Sequence, residues 1–291
     1  MMEFPRISVI VPVYNAQETL RDCVHSLLEL NYPRDKLEII LIDNASTDET
    51  AEIAKQYSLD IQILYEAKRG PAATRNRGIL NAKGEIIAFT DSDCVVDRDW
   101  LRNLVPALKE HRVGIAGGRI LSRRPCNTIE QFGEEIHDHG KAIDVYKPPY
   151  VISMNWMSRR AVITEVGLFD ESFIRNEDVD LSHRIFQAGY GFVHEPRAIV
   201  YHANERTLSG LFREGYLHGF YSVRTNRVHR EFVKRFGHRS IDLSSYTKIL
   251  SSLIDFLLRR NHNHAICYFV FNSGKKMGKL VGSVRFLHLD L

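Results

Sequence analysis

The chain has 291 residues, of which 44% are hydrophobic and 26% are charged. This composition is typical of globular proteins and excludes disordered, collagen-like and disulfide-stapled chains. The net charge of +3 conceals a division, because residues 1–205 carry 24 Lys and Arg against 31 Asp and Glu, whereas residues 206–291 carry 15 against 5. We therefore expect an acidic N-terminal domain over 1–205 and a basic C-terminal region over 206–291 that meets an anionic partner.

Cysteine spacing and hydropathy bear on the compartment. None of the four cysteines forms a Cys-x-x-Cys pair, which favours a reducing compartment over a disulfide framework or a zinc site. The first residues lack the features of a signal peptide, and no stretch approaches the roughly 20 apolar residues that span a bilayer. These patterns predict a cytoplasmic protein, either soluble or attached peripherally to the cytoplasmic face of a membrane.

The order of the segments predicts an α/β fold. The first strand is expected over Ile7–Tyr14, a continuous apolar and β-branched run of the kind that is buried on both faces of a sheet. Alternation of such runs with helical patterns predicts a doubly wound, mostly parallel sheet with helices on both faces, followed by a helical C-terminal region. Further strands are expected at 38–43, 61–65, 85–90 and 113–120, and helices at 17–30, 48–57, 72–82 and 99–111.

Polar side chains follow three of these strands at their carboxyl ends, where ligands bind in such sheets. The strand ends carry Pro12-Val13-Tyr14-Asn15, Asp43-Asn44 and Asp91-Ser92-Asp93. They predict a site for hydroxyl groups, phosphate or a metal ion. Neither G-x-G-x-x-G after the first strand nor a P-loop motif occurs, so a nucleotide is not held here as in dehydrogenases or P-loop enzymes.

Each motif alone leaves alternatives open. Asp91-Ser92-Asp93 can hold Mg²⁺ or Mn²⁺ on a diphosphate, or can form a simple turn. The cations of segment 68–78 suit a phosphate or a solvated basic face. The pair Glu177-Asp178, after the expected cap Asn176, complements a helix dipole or supplies a general base. Residues 46–49 predict a capping box, with Ser46 as cap and Glu49 as its partner.

Taken together and in this order, six motifs resemble the family 2 glycosyltransferases with the GT-A fold. The resemblance covers about the first 200 residues. The motifs are VIVPVYN (9–15), IDNASTDET (42–50), KRGPAATRNRG (68–78), DSD (91–93), NWMSRRAV with VGLFDESF (155–173) and NEDVDLSHRI (176–185).

The resemblance implies inverting transfer from a nucleoside-diphosphate sugar, UDP- or GDP-linked and more often UDP-linked, to a glycan or lipid-linked hydroxyl acceptor in polysaccharide or glycolipid synthesis of the cell envelope. It implies Asp178 as the general base beside Glu177, and a divalent cation, Mn²⁺ or Mg²⁺, on Asp93, Asp91 and His202. At Ser153 and Met154 the chain departs from the family, which often has Gly there. The nucleotide contacts that it implies are Pro12, Tyr14, Asn15, Asp43, Arg75, Asp91 and Ser92.

The C-terminal region and two rival functions stay open. Residues 246–260 are amphipathic, and the apolar run 265–271 is followed by three lysines, which fits either an anionic membrane surface or a helical layer packed on the core or on a second subunit of a homo-oligomer. No motif for reading nucleic acid is present. A sugar nucleotidyltransferase would carry a Gly-rich loop where this chain has Val13-Tyr14-Asn15, and a non-catalytic nucleotide-binding scaffold would have lost Asp93 or Asp178.

Overall fold

A computed structural model describes residues 4–237 and 243–290. These residues form two compact units. The first comprises the chain up to Arg123 together with Asp138–His202, and the second comprises Arg124–His137 together with the chain from Ala203 onward. The segment 124–137 thus groups with the C-terminal helices, although it precedes residue 205, and the domain boundary at 205 stays a prediction.

The first unit contains an eight-stranded sheet with the order β3-β2-β1-β4-β7-β6-β8-β5. The pairs β1–β2, β2–β3, β1–β4 and β6–β8 are parallel, whereas the pairs β4–β7, β6–β7 and β5–β8 are antiparallel. The predicted mostly parallel sheet is confirmed. The strands are β1 Ile7–Val13, β2 Leu37–Asp43, β3 Gln62–Tyr65, β4 Ile86–Phe89, β5 Cys94–Val96, β6 Val113–Ser122, β7 Trp156–Arg159 and β8 Gly191–His202.

Helices cover both faces of this sheet, as predicted. Alternate residues of β1 point to opposite faces, so Val9 and Val11 join one apolar core and Ile10 joins the other. The first core includes α1, α2 and α4, and the second includes α3, α6 and α7. The helices are α1 Leu20–Leu28, α2 Thr50–Lys55, α3 Pro71–Asn81, α4 Trp100–Leu104, α5 Thr128–Ile136, α6 Arg160–Glu165, α7 Glu177–Gln187, α8 Leu208–Val228, α9 Arg230–Lys234, α10 Leu243–Leu257 and α11 His262–Arg285.

Strand pairing brings the polar residues at the carboxyl ends of β1, β2 and β4 to one edge of the sheet, which is called the rim below. Phe89, the last residue of β4, pairs with Trp156, the first residue of the antiparallel β7, so the segment that leads into β7 lies beside the carboxyl end of β4. In the same way, Cys94 at the start of β5 pairs with His202 at the end of β8. This pairing brings His202 next to the Asp91-Ser92-Asp93 segment.

The second unit is built around two long helices, α8 and α11, that approach closely through glycine. The hydroxyl of Thr207 accepts a hydrogen bond from the Gly210 N–H and caps the start of α8. A Cβ built on Gly219 of α8 would lie 1.9 Å from the carbonyl oxygen of Lys275 on α11. The other glycines that face the partner backbone in this way are Gly215, Gly274, Gly278 and Gly282. Side chains larger than hydrogen at these positions would force the helices apart.

Helix α10 presents an apolar stripe to solvent. Its exposed large side chains recur at helical spacing and are Tyr246, Leu250, Ile254 and Leu257, with Leu258 directly after the helix. Among residues 4–237 and 243–290, no helix combines the length and the apolar composition needed to cross a bilayer.

Candidate active site

The loops after β1 and β2 are tied to each other by side chains of the first two polar strand ends. Asn15 lies in the left-handed region with a φ of 47°, and its Oδ1 accepts a hydrogen bond from the Thr47 N–H at 2.9 Å. Its own N–H donates to the Ser46 hydroxyl at 3.0 Å. The buried Asp43 carboxylate accepts from the Ser46 N–H at 3.2 Å. Asn15, predicted to contact the nucleotide, therefore also fixes the shape of the rim.

These contacts replace the predicted capping box, which is wrong. Helix α2 begins only at Thr50, and neither Ser46 nor Glu49 makes a side-chain cap. The Ser46 hydroxyl bonds to the loop after β1 instead, and the Asp48 carboxylate accepts from the Thr50 N–H at 3.1 Å. A partner 31 residues away along the chain therefore outcompetes the local one.

Asn44 anchors the loop that leads to α3, a role that the sequence analysis missed. Its buried amide donates to the carbonyl oxygens of Glu66 and Lys68 at 2.9 and 2.8 Å, and its Oδ1 accepts from the Gly70 N–H at 2.9 Å. Gly70 has a φ of 128°, which a side chain would oppose. A carboxamide directly after a buried strand was the available signal, because it can both donate to and accept from a neighbouring loop.

Tyr14 and Pro12 border the first strand end. Tyr14 is 47% exposed, and the Arg69 guanidinium lies 5.4 Å from the centre of its ring. Pro12 is half-buried and lies beyond the last pair that β1 makes with β4. Ser92 is half-buried in the turn after β4. The phenol ring of Tyr14 is thus open to solvent at the rim, where a flat ligand can contact it.

Arg75 lies under the rim rather than in an open pocket. Its side chain is 3% exposed, and its two terminal nitrogens bond to Asp91 Oδ1 at 2.7 Å and to Glu177 Oε1 at 2.6 Å. Burial acts to lower the pKa of Arg75, but Asp91 and Glu177 outweigh it and raise that pKa. Its predicted contact with the nucleoside stays a prediction, since in this structure the guanidinium is engaged with the two carboxylates.

Asp91, Asp93 and His202 form the acidic edge of the rim. The Asp91 and Asp93 side chains are 27% and 43% exposed, and His202 Nε2 lies 3.4 Å from Asp93 Oδ2. Burial raises the pKa of Asp91, and the neighbouring Asp93 adds to the rise against the effect of Arg75. Burial also acts to raise the pKa of Asp93, but His202 outweighs it and holds that pKa below its usual value. Two accessible carboxylates and an imidazole are a donor set that fits Mn²⁺ or Mg²⁺.

Glu177 and Asp178 are the first two residues of α7, and their side chains contact different partners. Glu177 is buried against Arg75, and burial raises its pKa to about 7 although Arg75 acts to lower it. Asp178 is half-buried, and its Oδ2 accepts from the N–H and the hydroxyl of Ser153 at 3.0 and 2.8 Å. Its Oδ1 accepts from the Val179 N–H at 2.8 Å.

Ser153 is therefore a second residue whose role the sequence analysis missed. In the sequence it stands out only as a departure from the family, yet it supplies two of the three hydrogen bonds that orient the Asp178 carboxylate. The two residues are 25 positions apart, so only the antiparallel entry of β7 at this rim brings them together.

The predicted cap of α7 is also wrong. Asn176 has a φ of 63° and makes no side-chain cap, while its carbonyl oxygen accepts from the Asp180 N–H at 3.0 Å. The helix begins instead with acidic side chains, which complement its positive end.

The chain is similar to known proteins in sequence and in fold. The family model described as Glycosyl transferase family 2 matches residues 8–167. A relative, glycosyltransferase AglE of Haloferax volcanii, is 32% identical over 198 residues, which is 66% of this chain and 65% of that protein. This chain covers between about a third and two thirds of the first curated relatives that it matches.

Two solved structures share the fold. The mannosyltransferase PcManGT from Pyrobaculum calidifontis, in complex with GDP-Man and Mn²⁺, superposes with a TM-score of 0.64 at 22% identity, covering 98% of this chain and 76% of that one. S. aureus TarS 1–349 in complex with UDP superposes with a TM-score of 0.57 at 17% identity, covering 97% and 92%.

Proposed function

The chain belongs to glycosyltransferase family 2, and from that premise we propose that it transfers a sugar from a nucleoside-diphosphate sugar to a hydroxyl acceptor with inversion. The observation that carries this proposal is the rim itself. There, the half-buried Asp178 is oriented by Ser153, and the partly exposed carboxylates of Asp91 and Asp93 lie beside His202. The two solved neighbours are complexes with GDP-Man and with UDP, so both donor types occur on this fold. Because the family resemblance favours UDP, we propose a UDP-linked donor before a GDP-linked one.

Asp178 is the proposed general base. A carboxylate has about four lone-pair directions, and Ser153 and the Val179 N–H take three of them. One direction on Oδ1 is left for the hydroxyl of the acceptor, whose proton Asp178 removes as that oxygen attacks the anomeric carbon from the face opposite the diphosphate. Glu177 cannot reach a substrate as easily, since it is buried against Arg75. We assign Glu177 and Arg75 to positioning the carboxylates.

A divalent cation completes the proposed site. Asp93, Asp91 and His202 would hold it, and it would supply positive charge to the leaving nucleoside diphosphate. The charge of the rim supports this, because the acidic side chains of Asp91, Asp93 and Asp178 share it with the buried Arg75, which already pairs with Asp91 and Glu177. The Mn²⁺ in the complex of the P. calidifontis mannosyltransferase supports the same assignment.

The nucleoside would lie at the ends of β1 and β2. Asp43 is the proposed partner of the base, while Tyr14 and Pro12 border it and Asn15 and Ser92 contribute from the flanking turns. Tyr14 can stack on a flat base, since its ring is exposed. The sequence Val13-Tyr14-Asn15 lacks the Gly-rich loop of a sugar nucleotidyltransferase, and retention of Asp93 and Asp178 opposes a non-catalytic scaffold.

We propose that the protein binds an anionic membrane surface and that its acceptor, a glycan or a lipid-linked sugar, lies there. The apolar stripe of α10 and Leu258 is exposed, and Arg259 and Arg260 follow it directly. Such a helix binds in the plane of an interface, and each cation near an anionic surface contributes about 1 kcal/mol. We propose attachment at the cytoplasmic face on this basis. A second copy of the chain on the stripe is the competing interpretation.

The experiment that tests the reaction follows release of nucleoside diphosphate from UDP- and GDP-sugars with Mn²⁺, with and without glycan and lipid-linked acceptors. We expect Asp178→Asn to lower turnover by about 10²–10⁴-fold while it leaves donor binding unchanged, because a general base contributes about that much. The exposed Asp60→Asn is the matched control and should keep full activity. Full turnover in Asp178→Asn, or an equal loss of donor binding, would contradict the assignment.

A further inference from the structure

A cluster of two histidines and one glutamate lies in the second unit and includes none of the residues assigned above. His137 directly follows α5, and Glu214 and His218 lie on α8. The possible ligand atoms of the three residues are all within 4.8 Å of one another. We propose that His137, Glu214 and His218 bind one Zn²⁺ ion.

The distances within the cluster fit a metal ion better than direct hydrogen bonds. Glu214 Oε1 lies 3.3 Å from His137 Nε2 and 3.8 Å from His218 Nε2. Hydrogen bonds between nitrogen and oxygen have their usual range at about 2.7–3.2 Å. Ligands of a tetrahedral zinc at about 2.0–2.2 Å from the ion stand roughly 3.4 Å from each other. The two measured separations, 3.3 and 3.8 Å, lie on either side of this value, as expected for ligands of one ion.

The chemistry of the three side chains also selects the metal. Two imidazoles and one carboxylate are a recurrent protein ligand set of zinc, with a fourth position for water or another ligand. The side chains of His137 and Glu214 are 8% and 15% exposed, and that of His218 is 36% exposed. A water molecule can therefore reach the fourth position from the side of His218. Two of the three ligands here are imidazoles, which suit Zn²⁺ better than Mg²⁺, whereas the rim offers two carboxylates and one imidazole.

The scaffold holds the three ligands in place independently of a metal. Glu214 and His218 are four residues apart on α8 and so share one face of the helix. The N–H of His137 donates to the Gly133 carbonyl oxygen at 2.9 Å, which continues the last turn of α5. Helix α5 is fixed in turn by Glu130, whose carbonyl oxygen accepts from Asn204 and whose carboxylate pairs with Arg206.

Zinc at this position would fasten the segment 124–137 to α8 within the second unit. Its test uses the full chain, stripped of metal with a chelator, then given Zn²⁺ alone and desalted before its metal content is measured. His218→Ala removes a ligand at an accessible position, and Glu214→Gln removes the charge with little change of shape. His264→Ala is the matched control, since this histidine lies in the same unit at 38% exposure and outside the cluster.

We expect wild type and His264→Ala to retain one more equivalent of zinc than His218→Ala and Glu214→Gln, and to show a rise in Tm with Zn²⁺ that both ligand variants lack. Asp93→Ala should keep this zinc, which separates the cluster from the rim and from the fate of the proposed function. Zinc content that is the same in wild type and in both ligand variants, or no zinc in wild type, would overturn the proposal. A ligand variant that fails to fold is replaced by His218→Gln, judged by the same measurement.

Discussion

Arg75 connects the two halves of the candidate site through a chain of charges. One terminal nitrogen holds Asp91 next to Asp93, and the other holds Glu177 next to Asp178. Removing one partner of a buried charge pair leaves the other uncompensated, which is far more costly than the pair itself is stabilising. The arginine thus couples the position of the cation ligands to the position of the proposed base.

Ser153 offers the sharpest test of how the base is oriented. Ser153→Ala removes a hydroxyl that donates to Asp178 at 2.8 Å but keeps the backbone N–H that donates to the same oxygen. A hydrogen bond to a charged group contributes about 1.5–3 kcal/mol, so we expect kcat to fall by roughly ten- to a hundredfold with little change in the KM for the donor. Steady-state kinetics would measure both constants.

The controls for this prediction separate positioning from a loss of folding. Ser153→Thr keeps a hydroxyl and should restore much of kcat. Ser172→Ala removes a hydroxyl that donates to the Asp170 carboxylate at 2.6 Å on the surface, and kcat should not change. A normal kcat in Ser153→Ala would show that the Asp178 carboxylate does not depend on this hydroxyl.

Glu177 predicts a particular dependence of stability on pH. The folded protein holds its proton up to about pH 7, whereas the unfolded chain releases it near the ordinary value of 4.5. The folded state therefore binds more protons across this window, and the contribution of Glu177 to the free energy of unfolding falls as the pH rises from about 4.5 to about 7.

Glu177→Gln should remove this component of the pH dependence. We expect the difference in the free energy of unfolding between wild type and Glu177→Gln to change in favour of the variant between pH 5 and pH 8, measured by urea unfolding at both pH values. The exposed Glu110→Gln is the matched control and should follow wild type. A difference between wild type and Glu177→Gln that is constant with pH would contradict the raised pKa.

At the scale of elements, strands were predicted best and loop partners worst. The first strand was expected over 7–14 and spans Ile7–Val13, because a buried parallel strand is a continuous apolar run. The helix expected over 99–111 ends at Leu104 and continues as a 3₁₀ turn over Val105–Leu108, where Pro106 cannot supply an N–H for a helical bond. Local pattern could not show that Ser46 bonds to Asn15, since that choice depends on the pairing of two strands.

For the site residues too, positions set by the order of the strands could be predicted, whereas contacts between distant residues could not. The positions of Asp43, Asp91 and Asp93 at a common rim could be predicted, since the carboxyl ends of parallel strands meet at one edge. The partners of Arg75 lie 16 and 102 residues away, and the sequence contains no local signal for either contact. The antiparallel strand β7 was not among the expected strands, and it is the segment leading into β7 that places Ser153 at the rim.

The contact between α8 and α11 predicts a strong effect of a small substitution. Gly219→Ala would normally favour a helix by about 1 kcal/mol, but its Cβ would lie 1.9 Å from the Lys275 carbonyl oxygen. Overpacking of this kind costs about 1–3 kcal/mol, so we expect a lower Tm by calorimetry. Arg213→Ala, at an exposed position of the same helix, is the control and should change the Tm little. A Tm for Gly219→Ala at or above that of wild type would contradict the close approach.

At the scale of the whole molecule, the opposite charges of the two parts of the chain predict selective membrane binding. Sedimentation with vesicles should show binding to anionic but not to neutral lipid, and binding that weakens as salt is raised, because surface charges are screened. The variant Leu250→Glu with Ile254→Glu should lose it, since both side chains belong to the exposed stripe of α10. Glu110→Gln should bind as wild type does. Equal binding of both variants would contradict membrane binding through the stripe. A concentration-dependent dimer that Leu250→Glu with Ile254→Glu abolishes would favour a second copy of the chain.

Thermal stability tests most directly whether the rim binds a nucleoside diphosphate together with a divalent cation. Tm is measured with UDP, GDP, CDP and TDP, each with and without Mn²⁺, for wild type and Asp93→Ala. A ligand at 100 times its Kd stabilises the folded state by roughly 2.7 kcal/mol. We predict a Mn²⁺-dependent rise in Tm that is largest for UDP and absent from Asp93→Ala. No rise with any nucleotide, or the same rise in Asp93→Ala, would contradict the assignment of this rim.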